Sequence, residues 1–88
     1  MKLKYNFIVN QVADNMVAVP VGNDLETFNG FIKMNDIGAY IFNMLNNDVT
    51  EDDIVAAMVK DYPDATEAEI RETVHDFVSQ LIERGIAE

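Results

Sequence analysis

At Asn35 the hydrophobic pattern of this chain changes period, and that change governs what it can fold into. Before it, Tyr5-Asn6-Phe7-Ile8-Val9-Asn10-Gln11-Val12 is β-branched and aromatic with partial alternation, which reads as a strand. Ala13-Asp14-Asn15 is a turn of the kind that closes a short hairpin, and Met16-Val17-Ala18-Val19-Pro20-Val21 is the returning strand. Pro20 has no N–H to donate, so its position faces an edge or ends the pairing. Gly22-Asn23-Asp24 breaks the strand, and Leu25-Glu26-Thr27 is either a loop or a continuation of the hairpin. Phe28-Asn29-Gly30-Phe31-Ile32-Lys33-Met34 reads as a third short strand entered through an Asn-Gly turn.

Beyond this point the spacing is helical. Asn35 or Asp36 caps a helix in which Ile37, Tyr40, Ile41, Met44 and Leu45 form one apolar stripe, and Asn46-Asn47-Asp48 ends it. Thr50-Glu51-Asp52-Asp53 places a hydroxyl at an N-cap and a carboxylate three residues later, with further acids in the first turn. Ile54, Val55, Met58 and Val59 supply the inner face of that second helix, which stops at Tyr62-Pro63. Thr66-Glu67-Ala68-Glu69 repeats the capping device. The last helix has Ile70, Val74, Phe77, Val78 and Leu81 as its core stripe, and Gly85 is placed to terminate it. The fold class is therefore α+β: a winged helix-turn-helix with a three-stranded antiparallel sheet in the order β-β-β-α-α-α.

With 88 residues, 49% of them apolar, residues 1–88 read as a single domain near the lower size limit for a self-sufficient core. No apolar run is long enough to cross a bilayer, and Met1-Lys2-Leu3-Lys4-Tyr5 leads into no signal-peptide core. There is no cysteine, hence no disulfide framework, thiol nucleophile or Cys-zinc site; the cytoplasm is the expected compartment. Six Lys and Arg against sixteen Asp and Glu give a net charge of −10. A duplex binder neutralises phosphates with cations, so nucleic acid and anionic membranes are poor partners, and a neutral or basic peptide or protein surface is favoured.

Catalytic chemistry is sparse. His75 and Ser79 are the only histidine and the only serine; they lie four apart on the last helix with no third residue to orient a base. A surface histidine beside a polar neighbour is the better reading. Asn46-Asn47-Asp48-Val49-Thr50-Glu51 lacks the alternating ligands and central glycine of a calcium loop, and stabilisation of a helix start explains the acids Glu51-Asp52-Asp53. Gly22, Gly30, Gly38 and Gly85 are too far apart to cradle a phosphate. Acyl carrier proteins share this size and acidity, but Ser79 sits mid-helix in Val78-Ser79-Gln80, not in an Asp-Ser-Leu context at a helix start. The expected protein is not an enzyme and holds no cofactor or metal.

What the arrangement offers is a sheet edge and a helix. A short third strand pairs on one side, leaving main-chain groups that an extended peptide can complete. Beside the core stripe of the last helix runs a second stripe of Arg71, His75, Val78 and Ile82. Ile82 either lines a groove or widens the buried face. Lys33 and Arg71 either flank the groove, or serve solubility and pair within the helix, as Arg71 can with Glu67.

The order of elements resembles the PqqD-like proteins, peptide chaperones whose fold is called the RiPP recognition element. The resemblance rests on the hairpin Phe7–Val21 and the strand Gly30-Phe31-Ile32-Lys33-Met34. It rests equally on Asn35-Asp36-Ile37-Gly38 leading into Ala39-Tyr40-Ile41-Phe42, which looks like the family's Leu-Asn-Glu-Thr-Gly-Ala turn into the first helix. Val49-Thr50-Glu51-Asp52-Asp53-Ile54, the final helix and Arg84-Gly85-Ile86 also fit. Asp36 and Ile37 depart from the Glu and Thr frequent there. The resemblance covers nearly the whole chain, and its specificity lies in the combination rather than in one motif.

The resemblance implies a domain that binds the leader of a ribosomally made precursor peptide and presents it to a modifying enzyme, often a radical SAM enzyme. It selects Phe31, Ile32, Lys33 and Met34 on the strand, and Arg71, Val74, His75, Val78 and Ile82 on the last helix. A monomer or weak homodimer is expected. The competing reading is a protein–protein adaptor or regulatory winged helix. DNA binding ranks lower, because Glu67, Glu69, Glu72, Asp76 and Glu83 crowd the helix that would enter a groove.

Overall fold

The computed structural model describes residues 1–22, 24 and 30–88. Strand β1 (Phe7–Val12) pairs antiparallel with β2 (Asn15–Pro20), and β2 pairs antiparallel with β3 (Ile32–Met34). The sheet order is β1-β2-β3, so β3 forms an edge. The hairpin turn is Ala13-Asp14, with Ala13 in the left-handed region at φ 56°. Three helices follow: α1 (Asp36–Met44), α2 (Glu51–Asp61) and α3 (Glu67–Glu83). The β-β-β-α-α-α order and open antiparallel sheet are those expected from the pattern.

Period-two alternation sorts the strands. Ala18 and Pro20 of β2 and Ile32 and Met34 of β3 point inward and are buried, whereas Ile8, Val19 and Lys33 point outward and are exposed. Pro20 sits opposite Phe7, two residues past the β2–β3 ladder, which spans Met16–Ala18. That position asks no donor of the missing N–H. The third strand is shorter than its sequence suggests: Phe31 precedes the ladder, and Phe28 and Asn29 lie outside the described residues, as do Leu25, Glu26 and Thr27.

Each helix start is fixed by its own side chain. Asn35, not Asp36, caps α1, its Oδ1 accepting the Gly38 N–H at 2.8 Å. Thr50 and Asp53 form a reciprocal capping box on α2, and Thr66 and Glu69 form another on α3. The far end of α3 closes with Gly85 at φ 74°: its N–H bonds to the Ile82 carbonyl, and the Ile86 N–H to the Leu81 carbonyl. Those two bonds define a Schellman motif, and buried Ile86 packs with the core that holds Leu81. The last residues then run beside the first ones, with Leu3 bridging Ala87 and the Lys2 N–H donating to the Glu88 carbonyl.

The core lies between the inner sheet face and the helices. Phe42, Ile41, Leu45, Ile54, Met58, Val74 and Val78 are its largest fully buried side chains together with Val55 and Ile86. Phe42 packs edge-on against Phe7 at 5.2 Å between ring centroids, tying α1 to β1. No buried side-chain polar atom among the described residues lacks a partner. No helix among them is long and apolar enough to cross a membrane.

Candidate functional site

The β3 edge is the starting point, because its main-chain groups on the side away from β2 have no neighbouring strand among the described residues. β1 is an edge too, but its outer half, Asn10-Gln11-Val12, is exposed. β3 instead runs straight into Asn35 and the start of α1, which abut α3. The joint is the Phe77 ring, whose Cε1 lies 2.9 Å from where a Cβ on Gly38 would be, with the Met34 Cβ 3.2 Å from the same point.

Two clefts open along this seam. One, about 340 Å³, lies among Ile37, Met58, Tyr62, Ala65 and Ile70, with Glu69 and Thr73 on its α3 side. The second, about 270 Å³, is bounded by Gly38, Ile41, Asp76, Phe77 and Gln80. Both are also lined by Asn35, Ile37 and Thr73, so together they form a groove that begins where β3 ends and follows α3. Their size is at the bottom of the range for small-molecule sites, which suits the side chains of a peptide. The far wall is braced by aromatic packing. Tyr40 stacks edge-on with Tyr62 at 5.7 Å, and its hydroxyl donates to Asp61 Oδ2 at 2.5 Å. That hydrogen bond, with burial and the negative charge of Asp61, pushes the Tyr40 hydroxyl up to about 12.

The residues singled out from the sequence divide here. Phe31 is 62% exposed just before β3, and Lys33 is exposed on the outer sheet face, whereas Ile32 and Met34 turn their side chains into the core. On α3, Val74 and Val78 are core residues, at 0% and 1% exposure, and line no surface. Arg71 and His75 face the start of α2. Arg71 pairs with Asp52 Oδ1 at 2.5 Å and approaches Glu67, and His75 Nδ1 lies 3.0 Å from Glu51 Oε1. The bond to Asp52 raises the already high pKa of the Arg71 guanidinium. Ile82, 47% exposed, shares the Arg71–His75 stripe at helical spacing.

Arg71 and His75 thus meet the start of α2 rather than this seam, and Lys33 stands on the outer sheet face, so Lys33 and Arg71 do not flank one groove. The α3 side chains on the seam are Glu69, Thr73, Asp76, Phe77 and Gln80. Among the described residues no group of three or more His, Cys, Asp and Glu side chains is placed to hold a metal ion.

The fold and the seam define a class: a small winged-helix-like domain with an open strand edge backed by a helix. The family model for coenzyme PQQ synthesis protein D (PqqD) matches residues 8–87, and the chain belongs to that family. A search of curated proteins finds no match. Among solved structures, TbiB1 in complex with the TbiA(beta) leader peptide shares the fold at a TM-score of 0.75 and 19% identity, over 100% of this chain and 95% of that one.

Proposed function

We propose that this chain is a non-catalytic chaperone: it binds the leader segment of a ribosomally synthesised precursor peptide and presents it to a modifying enzyme, with a radical SAM enzyme as the first candidate. The observation that carries the reading is an edge strand, β3, that leads directly into Asn35, a residue lining both clefts beside α3. An extended leader adds beside β3 through main-chain hydrogen bonds, which supply affinity without regard to sequence. Its inward side chains then fall on the Phe77–Thr73 face of α3, where the two clefts supply choice. Membership of the PqqD family supports this role, as does the fold shared with TbiB1, whose structure holds a leader peptide.

The strand half of the site is Phe31, Ile32, Lys33 and Met34, with Ile32 and Met34 acting through their backbone. The helix half is Thr73, Asp76, Phe77 and Gln80. The protein works in the cytoplasm, where its precursor is translated. A DNA-reading role is disfavoured, since Glu67, Glu69, Glu72, Asp76 and Glu83 lie on α3 and its one arginine is engaged by Asp52.

The test is a titration of the purified chain with leader peptides encoded beside its gene, followed through backbone amide resonances. Shifts concentrated at Phe31–Met34 and along Glu69–Gln80 support the reading. Silence with every such leader, alongside tight binding to duplex DNA, rejects it.

A further inference from the structure

We infer that the α3 groove selects leaders carrying a Lys or Arg two or four residues from an aliphatic or aromatic anchor, the spacings that keep both side chains on one face of an extended strand. The inference rests on the leader-binding reading and names the chemistry of the leader. The larger cleft has an apolar floor, Ile37, Met58, Ala65 and Ile70, closed at one side by the Tyr62 ring. Only an apolar side chain fills such a floor without leaving a polar group unpaired. The α3 rim of the groove is acidic: Glu69 stands on the first cleft and Asp76 on the second. No Lys or Arg lines either cleft, and both nearby cations are accounted for elsewhere, Arg71 on α2 and Lys33 on the outer sheet face.

The two carboxylates are not equivalent. Glu69 is partly occupied by its capping box, accepting from the Thr66 hydroxyl at 2.9 Å. Asp76 is exposed and has no hydrogen-bond or ion-pair partner among the described residues, so it is the free acceptor on this wall. From Glu69 to Asp76 is seven residues of helix, about 10 Å of rise, which about three residues of extended peptide span. Side chains alternate along an extended strand, so with an anchor seated near Glu69 and Thr73 the same-face position beside Asp76 is two or four residues away. A cation there meets an unpaired carboxylate; an acidic residue there meets repulsion. The charge of −10 on the whole chain adds a field of the same sign and favours encounter with a cationic leader.

The experiment uses the full chain and one synthetic leader from the neighbouring precursor gene, in three forms: as encoded, with its Lys and Arg changed to Gln, and with its apolar residues changed singly to Ala. Each is titrated against the wild type, Asp76→Lys and Asp14→Lys. The last makes the same charge change at the exposed hairpin tip. The encoded leader is expected to bind Asp76→Lys about five- to tenfold more weakly, a loss that shrinks at high salt. Asp14→Lys should change affinity less than twofold, and the Gln form should bind wild type and Asp76→Lys alike. One Ala substitution, two or four residues from a Lys or Arg, should abolish the shifts around Ile37 and Ile70. If the encoded and Gln forms bind the wild type equally well and with unchanged β3 shifts, the charge selection is wrong while leader binding stands. If no form shifts β3 or α3, leader binding itself falls.

Discussion

Gly38 and Phe77 occupy one space: the Phe77 Cε1 lies 2.9 Å from the point where a Cβ on residue 38 would stand. Real Cβ atoms do not tolerate that distance, and the Met34 Cβ and Asn35 Oδ1 also crowd the point, at 3.2 and 3.3 Å. Phe77 therefore reaches the β3–α1 corner only because residue 38 is glycine, and the floor of the second cleft depends on the pair.

Replacing Gly38 by alanine sets two effects against each other. Alanine is the better helix former by about 1 kcal/mol, whereas overpacking a close contact costs about 1–3 kcal/mol. Because three neighbours crowd that point, Gly38→Ala should lower stability in urea by about 1 kcal/mol and move the Phe77 ring resonances. Combining it with Phe77→Leu should remove much of the penalty, a coupling that a double-mutant cycle measures. A Gly38→Ala variant more stable than the wild type would show that the ring simply swings away.

The closing turn of α3 gives a cleaner backbone test. Gly85 holds φ 74°, and no atom lies within 4 Å of the point a Cβ would occupy, so the only cost of alanine there is the left-handed conformation. Gly85→Ala should cost about 1–2 kcal/mol in chemical denaturation, and Gly85→Asn distinctly less. Equal losses would mean the Schellman bonds to Leu81 and Ile82 do not hold the turn.

Thr50 links a sequence signature to an observed bond: its Oγ1 accepts the Asp53 N–H at 3.1 Å while Asp53 Oδ2 accepts the Thr50 N–H at 3.0 Å. Thr50→Ala should destabilise the protein by about 1 kcal/mol, and Thr50→Ser should restore most of it. Thermal melts of the three proteins decide this.

Tyr40 provides a spectroscopic reporter of the wall beside the groove. Its hydrogen bond to Asp61 raises the hydroxyl to about 12 in the folded state, above the ordinary tyrosine value near 10. The stabilisation is thus complete below pH 10 and is lost as the pH rises from about 10 through about 12. The difference in ultraviolet titration between the wild type and Tyr40→Phe should show one tyrosinate forming near pH 12, and Asp61→Asn should bring that step toward 10.

The elements were legible in the sequence because each start carries its own chemistry: Asn35, Thr50 and Thr66 are capping residues, and the stripes behind them match the observed core apart from Val59, which is exposed on the second helix. The side of α3 that meets β3 was not. Two stripes flank the core stripe of that helix, Arg71–His75–Ile82 on one side and Glu69–Thr73–Asp76–Gln80 on the other, and helical period alone treats them alike. The choice is made in three dimensions, where Arg71 and His75 meet Asp52 and Glu51 while Phe77 meets Gly38. Gly38 was the one residue that could have pointed there, since a glycine inside a helix asks for a close neighbour. Likewise β3 is short because only Ile32–Met34 find partners on β2, a fact of register that composition does not carry.

Two faces of α3 can be told apart by substituting both. Thr73 is exposed and lines both clefts, so Thr73→Trp fills the groove without entering the core. It should keep the wild-type melting temperature within a few degrees and weaken leader binding by about tenfold or more, since an anchor side chain loses its seat. Arg71→Ala and His75→Ala remove side chains that meet α2, through exposed ion pairs worth little to stability. Both should fold and bind the leader within about twofold of the wild type. The reverse pattern, with Thr73→Trp neutral and Arg71→Ala or His75→Ala damaging, would place the leader over the α2 side of the helix. The β3 edge would then have to be reached by a path that avoids Phe77.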